Sequence, residues 1–333
     1  MTISFSLEPT PPFRLDLTAW ALRRRPSNAV DRWDGGTYRR VLLLNGKPCE
    51  VAVTQIAAPN SPRLQVAITG ARLTSEVKIV TTSSLERLLG IRIDLTEFYR
   101  LAARDAQLGP LAERFRGLKP PRFPTLFEAL ANGIACQQMS LTLGILLLNR
   151  LAEQLGVAVW STSGTVHAFP RPEELVKAEP SEFRKLGFSR QKGRYLIELS
   201  RTFLDGQFSS ETLSNLGNEA AVERLRELRG VGRWTAEYVL LRGLRRLDVY
   251  PGDDVGARNN LQRWLKLEKP LDYESVRRVL VKWQPYAGFI YFHLLLDRLT
   301  DAGHLAPEPS SKSDKKASSG CPNAAQARSL IFL

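Results

Sequence analysis

Cysteine and histidine are scarce in this chain of 333 residues, which has three cysteines (Cys49, Cys136 and Cys321) and three histidines (His167, His293 and His304). Three thiols, far apart and odd in number, give no disulfide framework. They also cannot supply the four closely spaced thiolates of an iron–sulfur cluster, so none is expected. No two histidines stand at the spacing of a ligand pair, which argues against a transition-metal enzyme. Long apolar runs are missing as well. Nowhere do about 18 apolar residues follow one another, and the start MTISFSLEPTPPF has no basic stretch leading into an apolar one. The chain therefore reads as neither membrane-embedded nor exported, and a reducing cytoplasm is the expected location.

What the chain has is cation. Lys and Arg number 47 against 34 Asp and Glu, a formal net charge of +13. The excess is mostly arginine, whose planar fork suits phosphate oxygens and stacks on bases. An acidic partner is expected: nucleic acid first, an anionic membrane surface as the weaker option. Hydrophobic residues make up 43%, enough for the cores of two or three domains.

Residues 1–82 read as strands and turns. ISFSLEP, YRRVLLLNGKPCEVAVTQI and RLQVAITG have strand character, Asn45-Gly46 is a two-residue hairpin turn, and LDLTAWALRR is a short helix. From Ser83 the apolar spacing turns helical, in SLERLLG, LTEFYRLAARDA, LFEALANGIA, LTLGILLLNRLAEQLG and GRYLIELSRTFLDG. The expected fold class is α+β: an antiparallel β-rich domain over 1–82, then an all-helical body of about ten helices over 83–302. Residues 303–333, with PEPSSKSDKKASSG, read as a disordered tail.

The densest stretch is LRELRGVGRWTAEYVLLRGLRRLDVYPGDDV, residues 225–255. Ala221, Leu225 and Leu228 are spaced as one buried helix face. Gly230 and Gly232 permit a tight turn with positive φ, and a second helix starts at once near Trp234. Outward-facing glycine amides at a helix N-terminus can hold a phosphate oxygen, with Arg233, Arg242, Arg245 and Arg246 as further cations. The same string also reads as a plain αα-turn with a basic face. Asp253 and Asp254 follow Pro251-Gly252 and either cap the next helix or perform chemistry. Trp234 and Tyr238, at i and i+4, share one face.

LRGVGRWTAEYVLLRG followed by YPGDDVGARNNL resembles the helix-hairpin-helix signature of the HhH-GPD DNA glycosylase superfamily, and is most similar to its 3-methyladenine DNA glycosylase II (AlkA-like) branch. FEALANGIACQQMSL, KLGFSRQKGRYLIELS and VKWQPYAGFIYFHLLL extend the likeness over roughly residues 5 to 302.

The resemblance implies a TBP-like first domain and two helical lobes with the active-site cleft between them. Asp254 matches the catalytic aspartate, and Asp253 its less essential neighbour. Trp234, Tyr238 and Tyr286 match base-pocket positions, with Trp283 close by and Trp20 within reach from the first domain. Bifunctional relatives carry a lysine nucleophile where this chain has Trp234, so hydrolysis without lyase activity is implied. Gln138 or Met139 would fill the gap left by a flipped nucleotide, and Gln137 would face the opposite base or cap a helix. Gly230, Gly232 and Arg233 would contact DNA. No cofactor is required, but carbonyls of Arg226, Leu228 and Val231 match a Na+ or K+ site. The implied activity is release of alkylated purines, 3-methyladenine and 7-methylguanine among them, from duplex DNA in base excision repair by a monomer. It would be nucleoid-associated in a bacterium. The alternatives are a non-catalytic DNA-binding protein, or a same-fold glycosylase for oxidised or deaminated bases.

Overall fold

The computed structural model describes residues 2–72, 74–161 and 164–305. Five strands, β1 (Thr2–Leu7), β2 (Arg32–Asp34), β3 (Thr37–Leu44), β4 (Lys47–Gln55) and β5 (Leu64–Thr69), form one antiparallel sheet in the order β1-β5-β4-β3-β2. The β3–β4 turn is Asn45-Gly46, with φ of 50° and 76°. Positive φ at both positions matches the right-handed twist of the strands, and Asn-Gly tolerates it best. Helix α1 (Leu15–Arg23) lies between β1 and β2.

Helices then follow: α2 (Ser75–Leu89), α3 (Thr96–Ala103), α4 (Leu108–Arg114), α5 (Leu126–Cys136) and α6 (Leu141–Leu155). After a small hairpin, β6 (Ala158–Ser161) and β7 (Gly164–His167), come α7 (Pro172–Leu175), α8 (Pro180–Lys185), α9 (Arg190–Leu204), α10 (Ser210–Ser214) and α11 (Asn218–Arg226). The last four are α12 (Arg233–Leu244), α13 (Val255–Trp264), α14 (Tyr273–Leu280) and α15 (Ala287–Asp301).

Several expectations are corrected. The helical region begins at Ser75, not Ser83, because the Thr74 hydroxyl caps the helix by accepting the Val77 amide at 3.1 Å. The body is not all-helical. β6 and β7 form a two-stranded hairpin, and the Ser161 hydroxyl donates to Glu50 of β4 at 2.6 Å. Four-residue strands are too short to show a period against their helical surroundings. Among the described residues fourteen helices follow the sheet rather than about ten, the surplus being pieces of one or two turns such as α7 and α10. Two residues of the expected tail are packed, His304 stacking on Trp20 at 5.7 Å and Leu305 buried. The tail from residue 306 on, with Cys321, lies outside the described residues.

Two hydrophobic cores run through the molecule, and neither belongs to the sheet alone. The first joins Val51, Val53, Val66 and Ile68 of the sheet to Phe127, Leu130 and Ile134 of α5 and to Val239 of α12. The second gathers α3, α4 and α13–α15 around Phe98, Leu261 and Phe292. Helix α1 is shared, with Leu15, Ala19 and Leu22 facing the first core and Leu17, Trp20 and Ala21 the second.

A buried ionic cluster fixes the sheet to α5. Arg40 of β3 donates to Asp31 and to Glu128 of α5, each at 2.6 Å, while the Tyr38 hydroxyl donates to Asp31 at 2.7 Å. All three charged side chains are nearly inaccessible, so each depends on its partners to replace lost hydration. Glu128→Ala removes one of the two anions from Arg40 and should lower the unfolding free energy by about 3–5 kcal/mol. The check is a lower urea midpoint at unchanged slope.

Candidate active site

Helices α11 and α12 are joined by a turn whose two glycines do different work. Gly230 has φ +86°, and a Cβ there would come within 2.3 Å of the Tyr195 ring of α9. Backbone conformation and the close approach of Tyr195 both require glycine at this position. Gly232 has φ −93° and is the N-cap of α12, and a Cβ there would meet nothing within 4 Å. The expected positive φ at both glycines is thus corrected for Gly232, whose contribution is an uncovered helix N-terminus.

Asp254 is the N-cap of α13, where its Oδ1 accepts the Ala257 amide at 2.9 Å. Its Oδ2 accepts the Trp234 indole N–H at 3.2 Å. One carboxylate thus both caps a helix and faces the cleft. Asp253 points differently: Arg233 Nε donates to it at 2.6 Å, and the Arg233 guanidinium lies 3.8 Å from the centre of the Tyr273 ring. Asp253 pulls the Arg233 pKa further up. Behind both aspartates, the buried carboxylate of Glu237 accepts the Gly252 amide at 3.1 Å and the Tyr273 hydroxyl at 2.6 Å. Burial raises its pKa. Nothing in the sequence pattern singled out Glu237, which reads as an ordinary helix-surface acid.

A cleft of about 1100 Å³ opens in front of Asp254. Trp234 and Tyr238 line it as a stacked pair, ring centres 5.5 Å apart at 28°. Tyr291, Leu294, Leu295 and Arg298 of α15 close another side. Trp283 and Tyr286, expected in the pocket, do not line it. Trp283 is buried against Trp264 at 5.0 Å, and Tyr286, the N-cap of α15, packs edge-on to Phe98 at 5.4 Å. Both belong to the second core, and Tyr291, further along α15, supplies the aromatic instead. Trp20 is also turned away, held between His304 and Arg23. The residue that α1 does send to the cleft is its C-cap, Arg24, with Arg25 beside it. Arg24 is 3% exposed and donates to the Tyr238 hydroxyl and to Asn132 Oδ1, both at 2.7 Å.

The expected cationic contacts after the hairpin are corrected too. Arg242 is buried and donates to the carbonyl of Ala21 at 2.8 Å. Arg245 donates to Pro120 at 2.8 Å, and burial lowers its pKa to about 9. Arg246 donates to Asn218 at 2.8 Å and to the Leu213 carbonyl. These arginines satisfy carbonyls and amides where elements end, work for which a five-donor fork is well suited.

Between α5 and α6 the loop Gln137–Ser140 forms another wall. Gln138 is exposed with a left-handed φ of 54°, whereas Met139 is half-buried against the first core. Gln137 is committed elsewhere: its Nε2 donates to the Gly230 carbonyl and the Thr235 hydroxyl, both at 2.7 Å. Lys192 braces the same loop by donating to the carbonyls of Ala135 at 3.0 Å and Gln137 at 2.6 Å, and burial lowers its pKa. Among the described residues no group of three or more His, Cys, Asp or Glu could hold a metal ion. At the turn, the carbonyls of Arg226, Leu228 and Val231 are oxygen donors of the kind a hard cation takes. Leu228 already accepts the Val231 amide at 3.0 Å, which leaves it one lone pair.

The hairpin, the aromatic cleft and the capping aspartate thus meet at one site. Residues 132–285 match the HhH-GPD superfamily of base excision DNA repair proteins. It is 30% identical to a DNA-3-methyladenine glycosylase of Bacillus subtilis over 60% of this chain and 66% of the relative. A putative DNA-3-methyladenine glycosylase of the same organism is 25% identical over 86% of this chain and 96% of that one. Among solved structures, the 3-methyladenine DNA-glycosylase of Archaeoglobus fulgidus superposes with a TM-score of 0.76 at 26% identity, covering 89% of this chain and 99% of that one.

The two glycines should separate in stability. Gly230→Ala meets both a positive φ and the Tyr195 ring and should lower the unfolding free energy by about 1–3 kcal/mol. Gly232→Ala should stay within about 1 kcal/mol of the parent. Urea unfolding of the two variants measures the contrast.

Proposed function

We propose that the protein is a monofunctional DNA glycosylase that hydrolyses the N-glycosidic bond of alkylated purines, of the 3-methyladenine and 7-methylguanine type, in duplex DNA. The observation that carries this reading is the Asp254 carboxylate, held by a helix amide and an indole N–H at the mouth of an aromatic cleft. Cleavage of the bond builds positive charge on the sugar, at C1′ and O4′. A fixed carboxylate stabilises that charge and orients the attacking water. Both of its oxygens already accept hydrogen bonds, which fixes the carboxylate in place.

Trp234 and Tyr238 offer π-faces to a flipped base. An alkylated purine is cationic, and each face attracts it by about 0.5–2 kcal/mol. Trp234 stands where a Schiff-base lysine would be needed, which supports hydrolysis without strand cleavage. Gln138, exposed and braced from behind by Gln137 and Lys192, is better placed than Met139 to enter the duplex. The amides before α12 and the exposed N-cap Gly232 suit a phosphate, and a Na+ or K+ held by the turn carbonyls would reinforce that grip. The relatives' activities and the lack, among the described residues, of any helix able to cross a membrane are consistent with a soluble repair enzyme acting as a monomer where the chromosome lies.

Asp254→Asn should reduce release of 7-methylguanine from methylated duplex by more than about 10²-fold while duplex affinity holds or improves, measured by chromatography of released bases and by anisotropy. Undiminished release would leave the hairpin as a binding module only. Gly232→Ala should weaken duplex binding, because its methyl group would stand in the path of the phosphate. Equal affinity would remove the turn from the interface.

A further inference from the structure

At the end of α12 remote from the cleft, three arginines are brought together. Arg245, the C-cap of α12, donates from Nε to the Pro120 carbonyl at 2.8 Å and from Nη2 to the carbonyl of Arg87, in the last turn of α2. Arg122 is tied to the same place by its backbone, its amide donating to the Leu88 carbonyl at 3.0 Å. The next amide, that of Phe123, donates to the Arg242 carbonyl at 2.7 Å. Pro120, Pro121 and Pro124 stiffen this segment, so two helix ends and a rigid strut carry the three side chains.

The helix ends account for one of these cations. A helix C-terminus carries about half an elementary negative charge, so two of them offset about one guanidinium of three. Arg245 is the one that caps them. The side chains of Arg87 and Arg122 make no hydrogen bond or ion pair among the described residues, and Arg122 Nε is buried without a partner. The acid beside Arg87 in sequence, Glu86, is held by Arg92 at 2.8 Å. The charges that act on the other two are cations: Arg87 on Arg122, and both Arg122 and Arg87 on Arg245. Burial and then this repulsion lower the pKa of Arg122 to about 10 and that of Arg245 to about 9. A group of buried donors that lacks acceptors is an unmet demand, and an anion meets it.

We propose that Arg87, Arg122 and Arg245 form a binding site for a terminal phosphate group, either inorganic phosphate or the phosphomonoester at the end of a nucleic-acid strand. A carboxylate presents two oxygens, and a backbone phosphodiester keeps two unesterified. A terminal phosphate presents three and carries about −1.5 to −2 charge at neutral pH, which matches three guanidinium forks in number and in sign. The site is separate from the cleft. Helix α12 has 12 residues, which puts its C-cap about 18 Å from the N-cap at Gly232. The proposal goes beyond the glycosylase reading and does not depend on it.

Isothermal titration with inorganic phosphate at fixed ionic strength tests the site in the parent, Arg122→Met and Arg87→Gln. The parent should bind phosphate. Arg122→Met should weaken binding by at least about tenfold, the loss of one charge-assisted contact, and the exposed Arg87→Gln by about threefold or more. Should Arg122→Met fail to fold, Arg87→Gln decides, its side chain being exposed and bonded to no other group. A parent that binds no phosphate overturns the proposal, and so does binding that the variants leave unchanged, since the anion then sits elsewhere, for instance at the hairpin. A short single strand with a 5′-phosphate, set against its 5′-hydroxyl form, identifies the source. A parent preference for the 5′-phosphate that the variants abolish assigns the site to strand ends. Two strands that bind alike and are unaffected by the variants leave the free anion as the occupant. Two strands that the variants weaken equally make the patch a contact for backbone phosphodiesters and overturn the assignment to a terminal phosphate.

Discussion

The carboxylate of Asp254 does two jobs with two oxygens, and much of the molecule serves to let it. One oxygen caps the first turn of α13 by accepting the Ala257 amide, so the helix end fixes the aspartate. The other meets the indole of Trp234, so α12 and α13 are brought into register through it. Glu237 and Tyr273 hold the Pro251-Gly252 loop from behind. Tyr195 presses on Gly230 at the far end of the hairpin. A carboxylate held this way is preorganised before any ligand arrives, which is what electrostatic stabilisation of a short-lived charge demands.

Much of this was legible in the sequence, for identifiable reasons. Asn45-Gly46, Gly230 and the Pro251-Gly252-Asp253-Asp254 run are local signals, where backbone chemistry alone narrows the choice. The sheet and the long amphipathic helices announced themselves by period. The two readings of Asp254, cap or functional acid, proved compatible because a carboxylate has two oxygens to give.

What was not legible depended on distant partners. Arg242, Arg245 and Arg246 look like a surface stripe in the sequence, yet each is engaged by carbonyls or amides from segments far along the chain. The resemblance places Tyr286 at the pocket with Trp283 close by, while packing against Phe98 and Trp264 puts them in the second core. Arg24 follows Arg23 and precedes Arg25, a triplet that reads as a solvated helix end. The left-handed C-cap, φ 62°, turns Arg24 into the cleft wall, while Arg23, also buried, donates to the backbone carbonyls of Arg25, Pro26 and Trp33. The β6–β7 hairpin was lost for want of length, and the early start of α2 because its first two turns are rich in β-branched residues, which favour strand.

The shared helix α1 has a consequence for how this architecture can change. Its two faces seal two cores, and its C-cap residue, Arg24, forms part of the cleft wall. The N-terminal sheet is therefore not an appendage carried by a self-sufficient helical enzyme. Any exchange of that region for another would have to reproduce three surfaces together, so its sequence is free to drift mainly along the solvent-facing strands and is held at the helix that passes beneath them.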